Sequence, residues 1–168
     1  MGSDSDLPQM INTIRILEDF SIPYEITIAS AHRSTDFVLS KTKSLEEEGF
    51  ALVIAAAGLA AHLPGVVAAS TNLPVIGIPL ESGPLKGQDA LHSIVQMPSG
   101  VPVATVAING TKNAALLAVQ ILSLSNGNLA KKFSQYKELM KEEVLAKNQR
   151  LQELGAEGYL AEKGLKKS

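Results

Sequence analysis

The sequence predicts an α/β fold, a three-layer α/β/α sandwich built on a parallel sheet. Four short apolar runs alternate with stretches whose apolar residues recur at helical spacing. The runs are apolar almost throughout, as is typical of parallel strands that helices cover on both faces. The 168 residues, 45% of them hydrophobic and 19% charged, fit one compact domain and exclude a disordered chain. We expect a single domain over residues 1–168, with the sandwich in 1–127 and a helical extension in 128–168.

The elements are predicted in β/α alternation after an initial helix. That helix covers residues 7–20, with Asp6 as its N-cap and Pro8 in its first turn. Ser34 offers a capping side chain for the helix that follows the first strand. The predicted strands are 24–29, 52–55, 74–78 and 101–108, and the remaining helices of the sandwich are 35–48, 65–70, 90–96 and 113–124.

The chain opens with a polar loop, residues 1–6, that leads directly into a helix. Doubly wound domains normally begin with a strand, which would support such a loop. Two explanations remain open: the sheet is short by one strand of about five residues, or the natural protein starts upstream of Met1. In both cases we expect the sandwich to lack an upstream first strand.

From Asn128 onward the sequence predicts a long polar helix with one apolar stripe. The stripe has to pack against a neighbouring subunit or against the protein's own sandwich, and the sequence leaves both open. Residues 163–168 are expected to form a frayed basic tail. The stripe consists of Leu129, Phe133, Tyr136, Leu139, Met140, Val144, Leu145 and Leu151.

Composition excludes several classes of function. The formal net charge of −2 gives no general attraction to nucleic acid or anionic membranes, and no apolar run is long enough to cross a bilayer. The absence of cysteine excludes disulfides and thiolate chemistry, and three scattered histidines do not predict a metal site. The sequence lacks the common motifs for binding nucleoside triphosphates, for binding dinucleotides and for hydrolase catalysis. We expect a cytoplasmic protein that binds no nucleic acid, no membrane and no metal.

The opening loop combines features that suit a phosphate. Ser3 and Ser5 supply hydroxyls next to the N-terminus of a helix, and Asp6 could accept hydrogen bonds from a sugar hydroxyl. An ordinary polar loop with an N-cap is the alternative interpretation.

Two further loops follow predicted strands, at the sheet edge where α/β proteins bind ligands. In Ser30-Ala31-His32-Arg33, the guanidinium can grip a phosphate and the imidazole can exchange a proton near neutral pH. The alternative is a solvent-facing histidine and an Arg33 paired with the carboxylates of 46–48. Residues 57–65 are mostly small and include His62, so a ligand could approach their backbone closely. Two such loops at one edge predict a shared site.

Five ordered motifs together resemble one family, the N5-carboxyaminoimidazole ribonucleotide mutases of bacterial purine synthesis. The likeness extends from residue 1 to about residue 124. The motifs are MGSDSD at 1–6, SAHR at 30–33, AAHLPG at 60–65, SIVQMP at 93–98 and NAALLA at 113–118.

The resemblance implies a flavodoxin-like sandwich, assembly into a homo-octamer, and an isomerase that needs neither a metal nor an organic cofactor. The implied substrate is a ribonucleotide whose carbamate carboxyl moves from the exocyclic nitrogen to ring carbon C4. Matching positions imply that His32 is the catalytic residue and that Asp6 binds the ribose. The implied phosphate ligands are Ser3, Ser5 and Arg33, with Ser30 assisting. The implied carbon dioxide pocket is formed by Ala57, Gly58, Ala60, His62 and Leu63.

The chain departs from the family pattern at three positions. Ala56 and Leu59 stand where glycine is usual, and Glu81 stands where glutamine is common. Two other functions remain as alternatives: direct carboxylation of aminoimidazole ribonucleotide by a related enzyme, and a non-catalytic nucleotide-binding domain on the same scaffold. In the related carboxylase a lysine typically replaces Arg33 and the AHLPG run is missing, so both features here favour the mutase.

Overall fold

The computed structural model describes residues 1–165, so residues 166–168 of the predicted basic tail lie outside the described part. The chain divides into two compact units, Met1–Ser125 and a second that begins at Asn126. The first unit holds a 3-10 turn (Asp4–Asp6), helices α1 (Leu7–Asp19), α2 (Thr35–Ser44), α3 (Leu63–Ala68), α4 (Gln88–Val95) and α5 (Thr111–Ser123), and strands β1 (Val53–Gly58), β2 (Val75–Leu80) and β3 (Ala104–Thr105). The second holds α6 (Gly127–Lys163).

The sheet is parallel, with strand order β1-β2-β3. The register pairs Val53 with Val75 and continues to the pair Gly58 and Leu80, so β1 and β2 end at the same level. All six residues of β2 are buried, because this strand has a neighbour on each side and helices above and below it.

The two faces of the sheet pack against different helices, which confirms the predicted three-layer sandwich. One face carries Ala55 and Ala57 of β1 against α2, α3 and α4, as in the contact with Ile94. The opposite face carries Ala56 and Ile78 against α1 and α5. The small side chains of β1 thus let both helical layers approach the strand closely.

Two of the predicted strands are confirmed with shifted ends, and they are β1 and β2. The predicted strand 101–108 shrinks to Ala104–Thr105. The predicted strand 24–29 is wrong, because within the described chain its backbone forms hydrogen bonds only with Met1. The Met1 amino group donates to the Thr27 carbonyl at 2.9 Å, and the Ala29 amide donates to the Met1 carbonyl at 2.8 Å. A strand needs a partner along its length, and one residue does not provide it.

The predicted long C-terminal helix is present, with one interruption. At Gly155 the backbone takes φ 64° and ψ 173°, which breaks the helical geometry. Arg150 bridges the break by pairing with Glu162 at 2.6 Å and with Glu153 on its own side at 3.1 Å. Several apolar side chains of α6 are at least half exposed, and they are Leu139, Met140, Val144 and Leu145.

Candidate functional site

The carboxyl ends of β1 and β2 bring two loops together, residues 59–62 and 81–87. A Cβ placed on Gly58 would lie 2.9 Å from the Cβ of Ser82, so only glycine allows the two loops to approach this closely. The sequence therefore needs its glycine here, at the end of the buried strand.

The opening loop folds into a compact turn of polar side chains. The Ser5 hydroxyl donates to the Ser3 hydroxyl at 2.8 Å, and the Ser3 hydroxyl donates to Asp4 at 3.1 Å. Asp6 occupies the N-cap position of α1, as predicted, but its side chain makes no capping hydrogen bond there and instead accepts from the Ser3 amide at 3.0 Å. Its carboxylate is used one turn earlier, where it closes a capping box with Ser3.

Asp6 is partly withdrawn from water. Burial raises the pKa of the Asp6 carboxyl, while hydrogen bonds from the Ser3 and Gly2 amides and the nearby Met1 ammonium oppose the rise. A carboxylate in this setting is a directed hydrogen-bond acceptor at the edge of the loop.

Arg33 ties the second loop to the first. Its Nη2 donates to the Gly2 carbonyl at 3.2 Å, and its Nε donates to the Ser30 hydroxyl at 3.3 Å. Within residues 1–165 no carboxylate forms an ion pair with Arg33. The predicted alternative, pairing with the carboxylates of 46–48, is therefore wrong, since Glu46 binds the Asn72 amide and Glu48 binds Lys41.

Ser34, which the sequence predicts as a cap of α2, holds the second loop in shape. Its hydroxyl accepts from the Ser30 amide at 3.0 Å and donates to the Ser30 carbonyl at 3.1 Å. Ser34 occupies the N-cap position of α2, as predicted, but its side chain makes no capping hydrogen bond to that helix. A serine side chain at this position can form hydrogen bonds either with the first turn of the helix or with the preceding loop, and here it bonds with the loop.

His32 and His62 meet across the second and third loops. Nε2 of His32 lies 2.5 Å from Nδ1 of His62, and the two rings are nearly perpendicular at 83°. One ring must donate and the other must accept, so this contact contains a single proton. Both side chains are exposed, and a ligand at the sheet edge could reach them. The predicted sharing of one site by these two loops is thus supported by direct contact.

The remaining predicted pocket residues divide into two groups. Gly58 and Ala60 lie at the accessible edge, half-buried and exposed respectively. Ala57 and Leu63 are buried, and their side chains belong to the core between the sheet and α2–α4. These two residues can contact a ligand only through their backbone. His92, on α4, is exposed and takes no part in the loop contacts described above.

The three departures from the family pattern lie in different environments. Ala56 is fully buried in β1, on the face toward α1 and α5, away from the loops. Leu59 takes φ 54° and is half exposed, and its Cδ2 lies 2.7 Å from where a Cβ on Gly83 would be. Leu59 therefore packs directly on the loop that follows β2.

Glu81, the third departure, is held by Asn109, a residue that the sequence analysis missed. The Glu81 amide donates to the Asn109 side-chain oxygen at 2.8 Å, and the Asn109 amide group donates to the Glu81 carboxylate at 3.2 Å. Asn109 has φ 56°, which asparagine tolerates better than most residues. The Asn109-Gly110 pair after the last predicted strand is the signal that could have marked this turn.

Comparison with known proteins identifies the family. A family model described as AIR carboxylase matches residues 1–143, most of the chain. The chain belongs to the AIR carboxylase family. Over 163 residues it is 56% identical to the N5-carboxyaminoimidazole ribonucleotide mutase of Thermotoga maritima, covering 97% of this chain and 95% of that protein.

Other members of the AIR carboxylase family differ in length and name. Phosphoribosylaminoimidazole carboxylase from Saccharomyces cerevisiae is 52% identical over 163 residues, covering 97% of this chain but 28% of that longer protein. The crystal structure of Treponema denticola PurE superimposes with a TM-score of 0.81 at 34% identity, covering 90% of this chain and 94% of that chain. The predicted resemblance and the predicted sandwich are both confirmed.

Across residues 1–165, no group of three or more His, Asp or Glu side chains is placed to hold a metal ion. In the same part of the chain, no helix is long and apolar enough to cross a membrane.

Replacing Ser34 with alanine should loosen the second loop. Ser34→Ala removes two hydrogen bonds to the Ser30 backbone, each of which contributes about 1 kcal/mol net. We expect the Ser30 amide to exchange with solvent about tenfold faster, as measured by amide hydrogen exchange. The control is Ser40→Ala, because Ser40 donates only to Phe37 within α2. Equal exchange of the Ser30 amide in both variants would contradict the role of Ser34.

Proposed function

We propose that the protein is an isomerase of de novo purine synthesis that converts N5-carboxyaminoimidazole ribonucleotide to 4-carboxyaminoimidazole ribonucleotide. The observation that carries the proposal is the contact between His32 and His62, a proton-transfer pair on loops that also present an unpaired guanidinium. The name of the Thermotoga maritima relative, 56% identical over nearly the whole chain, supports the same reaction. Residues 1–168 act together as a single mutase domain.

The substrate phosphate binds where the first two loops meet. Arg33 lies against Gly2, next to Ser3, and carries a positive charge that no carboxylate in residues 1–165 offsets. The hydroxyls of Ser3 and Ser5 turn from each other and from Asp4 toward the phosphate oxygens, and Ser30 keeps the guanidinium in place. A dianionic phosphate matches this set of donors.

Asp6 binds the ribose. Its carboxylate accepts from the Ser3 amide at 3.0 Å, so it lies beside the loop that holds the phosphate, where the ribose of the same nucleotide follows. A carboxylate accepts hydrogen bonds from two neighbouring hydroxyls without a proton of its own.

The reaction moves a carboxyl group from the exocyclic nitrogen to C4. His32 protonates the carbamate nitrogen, the bond from nitrogen to the carboxyl carbon breaks, and carbon dioxide and aminoimidazole ribonucleotide remain in the site. C4 then attacks carbon dioxide, and His32, now neutral, removes the C4 proton. All atoms and protons balance, so this route uses no metal, no ATP and no organic cofactor.

The third loop retains the carbon dioxide between the two steps. Gly58 and Ala60 leave space beside C4, while Ala57 and Leu63 contribute backbone groups, because their side chains face the core. Backbone amides fixed in place stabilise the negative charge of the new carboxylate without moving. His62 keeps its contact with His32 and so orients the ring that transfers the proton.

Direct carboxylation of aminoimidazole ribonucleotide is the second candidate, because the Saccharomyces cerevisiae relative is named as a carboxylase. That match covers only 28% of the longer protein, so its name describes more than this domain. The two functions separate in one assay without ATP or metal. Fast conversion of N5-carboxyaminoimidazole ribonucleotide establishes the mutase, and preference for aminoimidazole ribonucleotide with bicarbonate establishes the carboxylase. No turnover of either substrate points to a nucleotide-binding domain.

Loss of the His32 imidazole should abolish turnover and spare binding. His32→Asn keeps a side chain of similar shape but cannot protonate nitrogen or remove the C4 proton, and general acid–base catalysis contributes about 100-fold or more to the rate. We expect kcat for isomerisation to fall by at least about 100-fold while the substrate affinity changes little. His92→Asn, at an exposed position of α4, is the control. Near-normal turnover of His32→Asn would refute the proton-transfer role.

Loss of the Arg33 charge should weaken substrate binding. Arg33→Ala removes charge-assisted hydrogen bonds to the phosphate, each of which contributes about 1.5–3 kcal/mol, so the dissociation constant should rise about 10- to 100-fold. Calorimetric titration with the product nucleotide measures this change. Arg15→Ala on α1 removes an equal charge far from the loops along the sequence and serves as the control. An unchanged affinity in Arg33→Ala would mean that the phosphate binds elsewhere.

The protein acts in the cytoplasm as a homo-octamer, and it binds neither nucleic acid nor a membrane. Exposed apolar side chains on α6, such as Val144 and Leu145, support an assembly that covers them. Val144→Glu should therefore reduce the mass measured by sedimentation velocity at micromolar concentration. Lys147→Gln, three residues further along the same helix, controls for the equal change in net charge. An octamer of unchanged stability in Val144→Glu would exclude this face from the assembly.

A further inference from the structure

The fourth loop, residues 81–87, borders the third loop on the β2 side. A Cβ on Gly58 would come within 2.9 Å of the Cβ of Ser82, and the side chain of Leu59 packs on Gly83. The second loop contacts the third through the two histidines. The third loop is therefore enclosed between the second loop and the fourth.

The fourth loop has few bonds to the rest of the protein. Residues 82–86 are exposed, and their backbone hydrogen bonds are local, as in the one from the Lys86 amide to the Gly83 carbonyl at 3.3 Å. No salt bridge within residues 1–165 includes a residue of this loop. A loop of this kind opens at a low free-energy cost, so its position depends on how its ends are held.

Both ends of the fourth loop are held at Glu81. Its amide donates to the side-chain oxygen of Asn109 at 2.8 Å, and its carboxylate accepts from the Asn109 amide group at 3.2 Å. The chain returns at Gly87, where an added Cβ would lie 3.1 Å from the Glu81 Cα. Gly87 has φ 84°, a conformation that favours glycine, so the chain can enter α4 at this short distance. Because the two ends meet, a displacement of Glu81 moves the whole loop.

Asn109 is itself fixed to the sheet. Its backbone amide donates to the carbonyl of Pro79, near the end of β2, at 2.9 Å. Helix α5 begins two residues later at Thr111, whose carbonyl accepts from the buried Thr13 hydroxyl of α1 at 2.8 Å. The Glu81–Asn109 pair therefore joins an exposed loop to the buried part of the sandwich.

The enclosure of the third loop matters to the proposed reaction, because carbon dioxide is free between its two steps. Carbon dioxide has no net charge, so Arg33 and the histidines cannot hold it by an ion pair. Its retention depends instead on walls that leave it no path to solvent before C4 attacks. Gly58 and Ala60 lie at the accessible edge of the pocket, and the fourth loop packs against the first of them.

We propose that Glu81 and Asn109 are positioning residues of this reaction. By holding the fourth loop against Gly58 and Leu59, the pair closes the carbon dioxide pocket on the β2 side and keeps the molecule beside C4 until the second step. Neither residue contacts the reacting atoms in this role. The inference rests on the proposed function and extends it to two residues outside the three loops of the site.

The side-chain chemistry of the pair allows the partners to be exchanged. Glu81→Gln should preserve the contact, because a glutamine oxygen can accept the same hydrogen bond from Asn109. Asn109→Asp tolerates the backbone conformation but places a second carboxylate against Glu81, and the like charges repel. Both substitutions together should restore the contact, because the new amide group at position 81 can donate to the new carboxylate at position 109.

The test is a single turnover of N5-carboxyaminoimidazole ribonucleotide, with the full chain in excess over the substrate. Chromatography separates the 4-carboxylated product from aminoimidazole ribonucleotide, which remains whenever carbon dioxide escapes, and the loss without enzyme is subtracted. We expect the escaped fraction to rise about fivefold in Asn109→Asp, the factor that one lost hydrogen bond gives, and to return to the wild-type value when Glu81→Gln is added. Glu81→Gln alone should leave the fraction unchanged.

The control is Asn72→Asp, which makes the same change of charge at another asparagine that contacts a glutamate. Asn72 donates to Glu46 and precedes β2, at the end of the sheet away from the site loops. We expect no change in the escaped fraction there. Exchange of the Glu81 amide with solvent, measured in the same proteins, should be about fivefold faster in Asn109→Asp and unchanged in Asn72→Asp.

The positioning role would be overturned by a wild-type escaped fraction in Asn109→Asp, by an equal rise in Asn72→Asp, or by no recovery in the double variant. Unchanged exchange of the Glu81 amide in Asn109→Asp would overturn it as well. A wild-type protein that forms no 4-carboxylated product would instead overturn the proposed function, so the two failures are distinguished before any variant is measured.

Discussion

The parallel pairing of β1 with β2 is the constraint on which the rest of the molecule depends. Its register ends both strands at the pair Gly58 and Leu80, so the loops that follow leave the sheet at one level. Because β1 consists largely of alanine, α1 and α5 on one face and α2 to α4 on the other can pack near this strand. The positions of His62, Glu81 and the helix that follows each loop all derive from that register.

The site is assembled from backbone groups, hydroxyls and one unpaired cation, with few carboxylates. The first loop meets the second through Arg33 and Gly2, and the second meets the third through the two histidines. Each junction therefore joins loops that are distant in sequence, and a ligand that touches all three would add to their mutual stability. Because the loops contact one another, a residue such as Ser34, which only fixes the shape of one loop, also affects the positions of the other two.

Much of the architecture was predictable from sequence, because uniform apolar runs identify covered strands such as β1 and β2. The segment 24–29 is also rich in residues that favour strands, but its backbone lacks a partner over most of its length, and pairing is not visible in a local pattern. Site residues on the three loops were predictable by position, yet their contacts were not: Asp6 and Ser34 bind neighbouring turns rather than helix ends. Asn109 was missed because its role depends on Glu81, 28 residues earlier.

Leu59 occupies a position whose backbone conformation favours glycine, so its side chain carries a conformational free-energy cost. Its left-handed conformation is unfavourable by about 1 kcal/mol or more, and the contact of its side chain with Gly83 offsets part of that cost. The same contact joins the loops after β1 and β2, because neither loop can move away from the other without breaking it. Widening this edge of the sheet is therefore a concerted displacement of two loops, and the residue at position 59 sets how readily they part.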